Sequence, residues 1–344
     1  MLNIKSFLKE AVKKDASDVH LVGGELPMLR VEGELVELDS NKLPNKELET
    51  AILGLISKAQ TEKYQADKEL DFGYEFEGNR FRVNLHQQQE NIGLAARLIP
   101  EEVPTPEELR FEPALLDLGK LLDGLVLITG PTGCGKSTTI ASLIEEINKT
   151  RKAHIVTIED PIEFIFKDKK SLIEQREVGS DTKSFASALK YVLRQDPNVI
   201  FVGEMRDPET IATALTAAET GHLVFSTLHT SSAAEAVERI VDVFEGAKQK
   251  QVLIQLASVL RAVVAQQLVR AKDGGRVSAR EILINTPAVA NLIRENNIAQ
   301  IKSAIQTGAK DGMVSMENSL KQLVKEGIIS EETANNRVGR AKKV

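Results

Sequence analysis

The 344-residue chain contains no tryptophan, three tyrosines and one cysteine, Cys134. Aromatic residues make up 4% of it, which leaves few rings on which unstacked bases could lie and argues against a single-stranded nucleic-acid substrate. One cysteine excludes an intrachain disulfide and a cysteine-rich zinc site. It also fits a reducing compartment. Excess positive charge is lacking too: the formal net charge is −6, whereas proteins that grip nucleic acid over a wide surface are more often basic. Long apolar runs are absent. The N-terminal MLNIKSFLKEAVKKD has neither the apolar core nor the cleavage site of a secretory signal. The most apolar helix candidate, residues 251–269, is interrupted by Arg261 and several glutamines. It is too polar to span a bilayer, which takes about 20 mostly apolar residues. These absences predict a cytoplasmic protein that binds no nucleic acid directly and meets a membrane only through a partner.

What is present is the profile of a soluble globular chain, 42% apolar and 27% charged, long enough for two domains. Residues 1–99 read as a small α+β domain. Ile4, Phe7, Leu8, Ala11 and Val12 have helical spacing. LPMLRVEGELVEL suggests two strands meeting near Gly33, and residues 47–64 read as a helix. DFGYEFEGNRFRVNLH alternates apolar and polar residues on both sides of Glu77-Gly78-Asn79, which predicts an antiparallel hairpin. Residues 100–113 carry Pro100, Pro104, Pro106 and Pro113 among acidic residues, and so read as a linker. From 114 to 285 the apolar runs LVLIT, IVTI, VIFV and LVFS alternate with helical stretches, as in an α/β layer with strands buried on both faces. Residues 286–344 show only helical patterns.

The strand LVLIT runs into GPTGCGKS, residues 130–137, and then a helix. This is the phosphate-loop pattern: the glycines turn backbone N–H groups inward, and the helix N-terminus adds positive potential. Gly130, Pro131, Thr132, Gly133, Cys134, Gly135, Lys136, Ser137 and Thr138 are the predicted nucleotide contacts. Lys136 would reach the β- and γ-phosphates of ATP, and Ser137 would ligate Mg²⁺. NVIFVGEMRD places Glu204 just past an apolar strand, at the edge where α/β sheets bind ligands, and makes it a second candidate at the metal. HIVTIEDPIEF ends a strand with Glu159, Asp160 and Glu163, three acids whose mutual repulsion a cation would relieve. TGHLVFSTLHTS puts His222 and His229 on either side of a strand. On residue chemistry alone they read first as core or edge histidines and second as groups touching a ligand.

GPTGCGKST, HIVTIEDPIEF, VIFVGEMRDPET and TGHLVFSTLHTSSA occur in the order and spacing of the secretion-type ATPases, so the chain resembles that superfamily over its whole length. It looks most like the PilT subfamily, the pilus retraction motors. The resemblance implies a RecA-like P-loop NTPase domain with a PAS-like N-terminal domain and a C-terminal helical subdomain. It implies a homohexameric, Mg²⁺-dependent ATPase with ATP bound between domains, working on an inner-membrane pilus platform protein. His222 and His229 match the family's γ-phosphate-sensing box, and Arg82 and Arg97 match arginines that approach ATP. Arg176, Arg194 and Arg239 are weaker candidates for contacts from a neighbouring subunit. Glu204 is the first choice to polarise the attacking water, and Glu163 the second. Two positions depart from the pattern: Cys134 replaces a serine, and Ala290 stands where the retraction signature has arginine. A pilus extension motor or type II secretion ATPase is the alternative within the superfamily, although those carry a tetracysteine module. A RecA-like nucleic-acid motor is the alternative outside it.

Overall fold

The computed structural model describes residues 2–99 and 102–341, with side chains through residue 337. Packing divides the chain into two units. Met1–Glu102 with Pro161–Ile165 form one, and Val103–Asp160 with Phe166–Val344 form the other.

The first unit begins with α1 (Ile4–Lys13). Asn3 caps this helix by accepting from the Lys5 N–H, and Ile4, Leu8 and Ala11 form its buried stripe. There follow β1 (Asp18–Val22), β2 (Met28–Val31), β3 (Glu34–Glu37), α2 (Asn45–Leu53), α3 (Lys58–Asp67), β4 (Glu69–Phe76), β5 (Asn79–Gln88) and β6 (Asn91–Leu98). The strands form one antiparallel sheet in the order β3-β2-β1-β6-β5-β4. The predicted hairpin is β4–β5. Glu77 and Gly78 both take positive φ, the geometry of a two-residue hairpin turn. Residues 47–64, expected as one helix, are two. α2 stops at Gly54, and α3 restarts at Ser57, whose hydroxyl and the Gln60 side chain cap each other's backbone N–H groups.

In the second unit α4 (Pro113–Asp117) precedes β7 (Gly124–Thr129), α5 (Lys136–Thr150), β8 (His154–Glu159) and β9 (Leu172–Glu177). Next come α6 (Phe185–Val192), β10 (Val199–Val202), α7 (Pro208–Glu219), β11 (Leu223–Leu228), α8 (Ala233–Asp242) and α9 (Ala247–Val259). The long hairpin β12 (Leu260–Arg270) and β13 (Arg276–Ile284) leads into α10 (Pro287–Arg294), α11 (Ile301–Thr307), α12 (Met316–Lys325) and α13 (Glu331–Ala341). The sheet order is β13-β12-β7-β11-β10-β8-β9, parallel throughout except for β13. Every residue of β7, β10 and β11 is buried. Leu125 and Leu127 face one apolar core and Val126 and Ile128 the other, so the continuous apolar run serves both faces of a covered parallel sheet.

Residues 251–269, expected as one helix, change structure halfway. α9 ends at Val259 and β12 starts at the next residue, because from Leu260 the backbone pairs with β7 on one side and, from Ala262, with β13 on the other. Two of the polar interruptions have partners: Arg261 binds Asp123, and Gln266 reaches the loop after β7. Of the expected linker, Pro100 and Glu101 lie outside the described residues. The later part is fastened to the second unit by Arg280 of β13, which is 1% exposed. Its guanidinium donates to Leu109 O at 2.8 Å and Arg110 O at 3.0 Å, pairs with Glu112 at 3.2 Å and lies over the Phe111 ring. Among the described residues no helix is long and apolar enough to cross a membrane.

Candidate active site

In a parallel sheet all carboxyl ends lie on one edge, and there the second unit collects its chemistry. β7 ends in the glycine loop, β8 in Glu159 and Asp160, β10 in Gly203-Glu204, and β11 in His229. The loop depends on glycine: Gly130, Gly133 and Gly135 all have positive φ, and Gly135 caps α5. A Cβ on Gly130 would stand 2.3 Å from the Gln266 carbonyl oxygen and 2.6 Å from the Cys134 sulfur. Lys136 is the first residue of α5, and its ammonium donates to Gly130 O at 2.9 Å and Pro131 O at 3.3 Å. Ser137 and Thr138 follow on the first turn, both half-buried, while Pro131, Thr132 and Gly133 are exposed at the loop crest. Cys134 is buried. Burial pushes its thiol above the usual range against the pull of Lys136, so this cysteine is a packing group and not a nucleophile.

Glu204 is held by its neighbours. Thr227 donates its hydroxyl to Gly203 O at 2.6 Å, and Ser226 does the same to Val202 O at 2.7 Å, so β11 fixes the turn that presents Glu204. Arg206 Nε lies 2.8 Å and His229 Nε2 3.4 Å from the same Glu204 oxygen, Oε2, which leaves Oε1 to accept from another donor. Glu159 accepts from Thr157 and Gln175.

The two histidines flank a strand, as the sequence indicates. His222 precedes β11 and His229 follows it, so they stand at opposite edges of the sheet, roughly 20 Å apart by strand rise. His222 Nδ1 bonds Ala217 O at 2.9 Å and lies 3.2 Å from the Thr220 hydroxyl. Within one chain only His229 shares an edge with the glycine loop and Glu204. Arg176 lies half-buried on β9 and bonds Asp181 O, while Arg194 and Arg239 are exposed after α6 and on α8.

Arg82, Arg97 and Glu163 belong to the first unit. Arg97 on β6 is paired in register with Arg82 on β5 and with Asp18 on β1, and Asp18 is paired in turn with Arg30 on β2. Three arginines and one aspartate therefore form a row across four strands. Placing Arg82 opposite Arg97 sets like charges side by side, at a cost. Asp18 is nearly buried, accepts from Arg97 Nε at 2.9 Å and from the Ser17 hydroxyl at 2.8 Å, and leaves the outer Arg97 nitrogens in solvent. Burial pushes the Asp18 carboxyl up, but the Ser17 and Arg97 hydrogen bonds outweigh it and hold the group below the usual carboxylate range. Its stabilisation is thus present above the usual carboxylate pKa and lost as pH falls through the depressed one. Asp18→Asn should cost about 2 kcal/mol at pH 7, the value of a charged hydrogen-bonded group. Melts at pH 7 and pH 3 test this, and the gap to the parent should narrow at the lower pH.

The residues present fit a phosphate ligand. The Lys136 ammonium bonds two loop oxygens, a role phosphate oxygens also fill, and the buried hydroxyl oxygens of Thr129 and Thr230, at the ends of β7 and β11, lack a partner among the described residues. No group of three or more His, Cys, Asp or Glu among those residues could hold a metal ion. Mg²⁺ would fit here through phosphate oxygens together with the Ser137 hydroxyl and the Glu204 carboxylate, in the sparse manner usual for that ion.

Residues 110–337 match the family model of the type II/IV secretion system proteins. The chain belongs to that family. This secretion-family member is an ATPase, and its sheet is the parallel RecA-like one. It is 47% identical over 334 residues to the type IV pilus retraction ATPase PilT of Pseudomonas aeruginosa, covering 97% of each chain. It is 49% identical over 313 residues to a twitching motility protein of Neisseria gonorrhoeae, covering 90% of this chain and 84% of that one. A crystal structure of the pilus retraction motor PilT with bound ADP superposes on this ATPase with a TM-score of 0.90 at 46% identity, covering 97% of this chain and 96% of that one. Sequence reasoning missed two buried polar residues of this family member, Gln266 and Arg280. Gln266 interrupts an apolar strand, which is the signal that could have exposed it, whereas Arg280 lies among the other polar residues of β13 and carries no such signal.

Proposed function

We propose that the chain is a hexameric, Mg²⁺-dependent motor that hydrolyses ATP to retract a type IV pilus. The observation that carries this reading is 47% identity over 97% of the chain to a retraction ATPase, on a fold whose phosphate loop, Glu204 and His229 share one sheet edge. The loop backbone from Gly130 to Thr138 binds the phosphates, and Lys136 compensates the charge that develops on them. Mg²⁺, held by Ser137 and Glu204, would neutralise charge on the β- and γ-phosphates. Glu204, steadied by Arg206 and His229 through Oε2, orients the attacking water with Oε1, and Glu163 is the second acid for that role. Arg82 and Arg97 supply further positive charge. His222, on the far edge of the sheet, serves a contact other than one to the same chain's nucleotide. The segment 100–113 joins residues 1–99 to the ATPase core of residues 114–285, its residues 109–112 being bound to that core by Arg280, and residues 286–344 form the helical subdomain. The motor acts at the cytoplasmic face of the inner membrane through a platform protein, without direct contact with nucleic acid.

A deletion strain should carry excess surface pili and lose surface motility. The wild-type gene should restore both properties, and a Glu204→Ala gene neither. Bald cells on deletion would overturn retraction in favour of an extension motor.

A further inference from the structure

We infer that Gln266, on β12, is a positioning residue that sets the shape of the phosphate loop. Its side chain is wholly buried, yet polar. Nε2 donates to Cys134 O at 2.7 Å, and Oε1 accepts from the Thr139 hydroxyl at 2.9 Å. The Cys134 oxygen can only accept, so this pairing fixes which end of the amide is nitrogen. The Gln266 backbone takes part as well, since its carbonyl oxygen closes the space above Gly130. One residue therefore touches the loop at its first glycine, its middle and the helix that follows.

The bond to Cys134 has a directional consequence. A trans peptide is planar, and its C=O and N–H point opposite ways. Drawing the Cys134 oxygen outward to Gln266 turns the Gly135 N–H the other way, towards the inside of the loop. Inward N–H groups are what such a loop offers to phosphate. Without the Gln266 donor, nothing in β12 opposes a flip of this peptide, and Gly135, having no side chain, would allow one. Gln266 touches no phosphate itself.

The inference rests on nucleotide binding at the loop and is independent of the pilus role. The test measures the affinity of the full chain for a fluorescent ADP analogue at pH 5 and pH 8, beside melting of the nucleotide-free protein. Wild-type binding in the same assay separates failure of this inference from failure of the loop assignment. Gln266→Met keeps the volume but loses the donor. Its Kd should rise at least about tenfold at both pH values, and KM with it, while kcat changes far less, because the loop holds ground state and transition state alike. Gln266→Glu adds a readout that simple loss of packing would not give. When ionised it cannot donate to Cys134 O, and when protonated its O–H can. Its Kd relative to wild type should be raised at least about tenfold at pH 8 and return towards one at pH 5. If Gln266→Met fails to fold, the pH profile of Gln266→Glu decides alone. Binding within twofold of wild type at pH 8 in either variant, or a Gln266→Glu deficit equal at both pH values, would overturn the inference.

Discussion

Lys136→Ala should abolish ATP turnover, with kcat down on the order of 10³-fold, while the protein stays folded. The ammonium is the single side-chain charge at the first turn of α5, and it already bonds two loop oxygens at 2.9 and 3.3 Å. Removing one preorganised donor aimed at developing phosphoryl charge costs about 10²–10³-fold in comparable sites, and here a full positive charge is lost as well. The fold should tolerate the change. Alanine is the best helix former for the start of α5, and the loop keeps its glycines and the Gln266 contacts. Phosphate release under saturating ATP, alongside far-ultraviolet circular dichroism, measures both halves. Turnover at the parent rate would remove the loop from the mechanism.

Arg280→Met should have the largest effect on stability. The substitution strands the Glu112 carboxylate and the carbonyls of Leu109 and Arg110, all of which now receive bonds from a guanidinium that is 1% exposed. Breaking a buried pair from one side costs about 3–5 kcal/mol. For a unit of this size that is roughly a 10 °C fall in melting temperature at about 2–4 °C per kcal/mol. Calorimetry should place the loss in the transition of the second unit. Adding Glu112→Met should recover part of it, because removing both partners leaves no stranded charge. Recovery stops short of complete because two carbonyls still lack their donor. A melting temperature unchanged by Arg280→Met would mean that the grip on residues 109–112 is not a structural one.

How much of this was legible in the sequence varied with the physical signal. The β4–β5 hairpin could be read because alternation and the Glu77-Gly78 turn point to the same answer. The glycine loop could be read because strand, glycines, Lys136 and Ser137 follow one another without a break from Leu125 to Ser137. The junction between α9 and β12 could not, because no glycine, proline or capping residue marks Val259 and both sides are apolar. Only pairing with β7, more than 130 positions earlier, decides that the chain there is a strand. Gln266 was counted as a blemish in an apolar run when it is one of the loop's supports. The separation of His222 from His229 could be read as well, since they flank an apolar run and seven positions along a strand reach from one sheet edge to the other.

The central place of β7 has a consequence for synthesis. Its neighbour β12 carries Gln266, and a ribosome has still to add about 130 residues after Gly130 before that glutamine is made. At about 5–20 residues per second this is an interval of roughly 7–27 s. During it the glycine loop exists as sequence without its lateral support, and such distant pairings are the slow part of folding. A nascent chain halted before Leu260 should therefore have a finished antiparallel sheet at its N-terminal end and no settled grip on triphosphate.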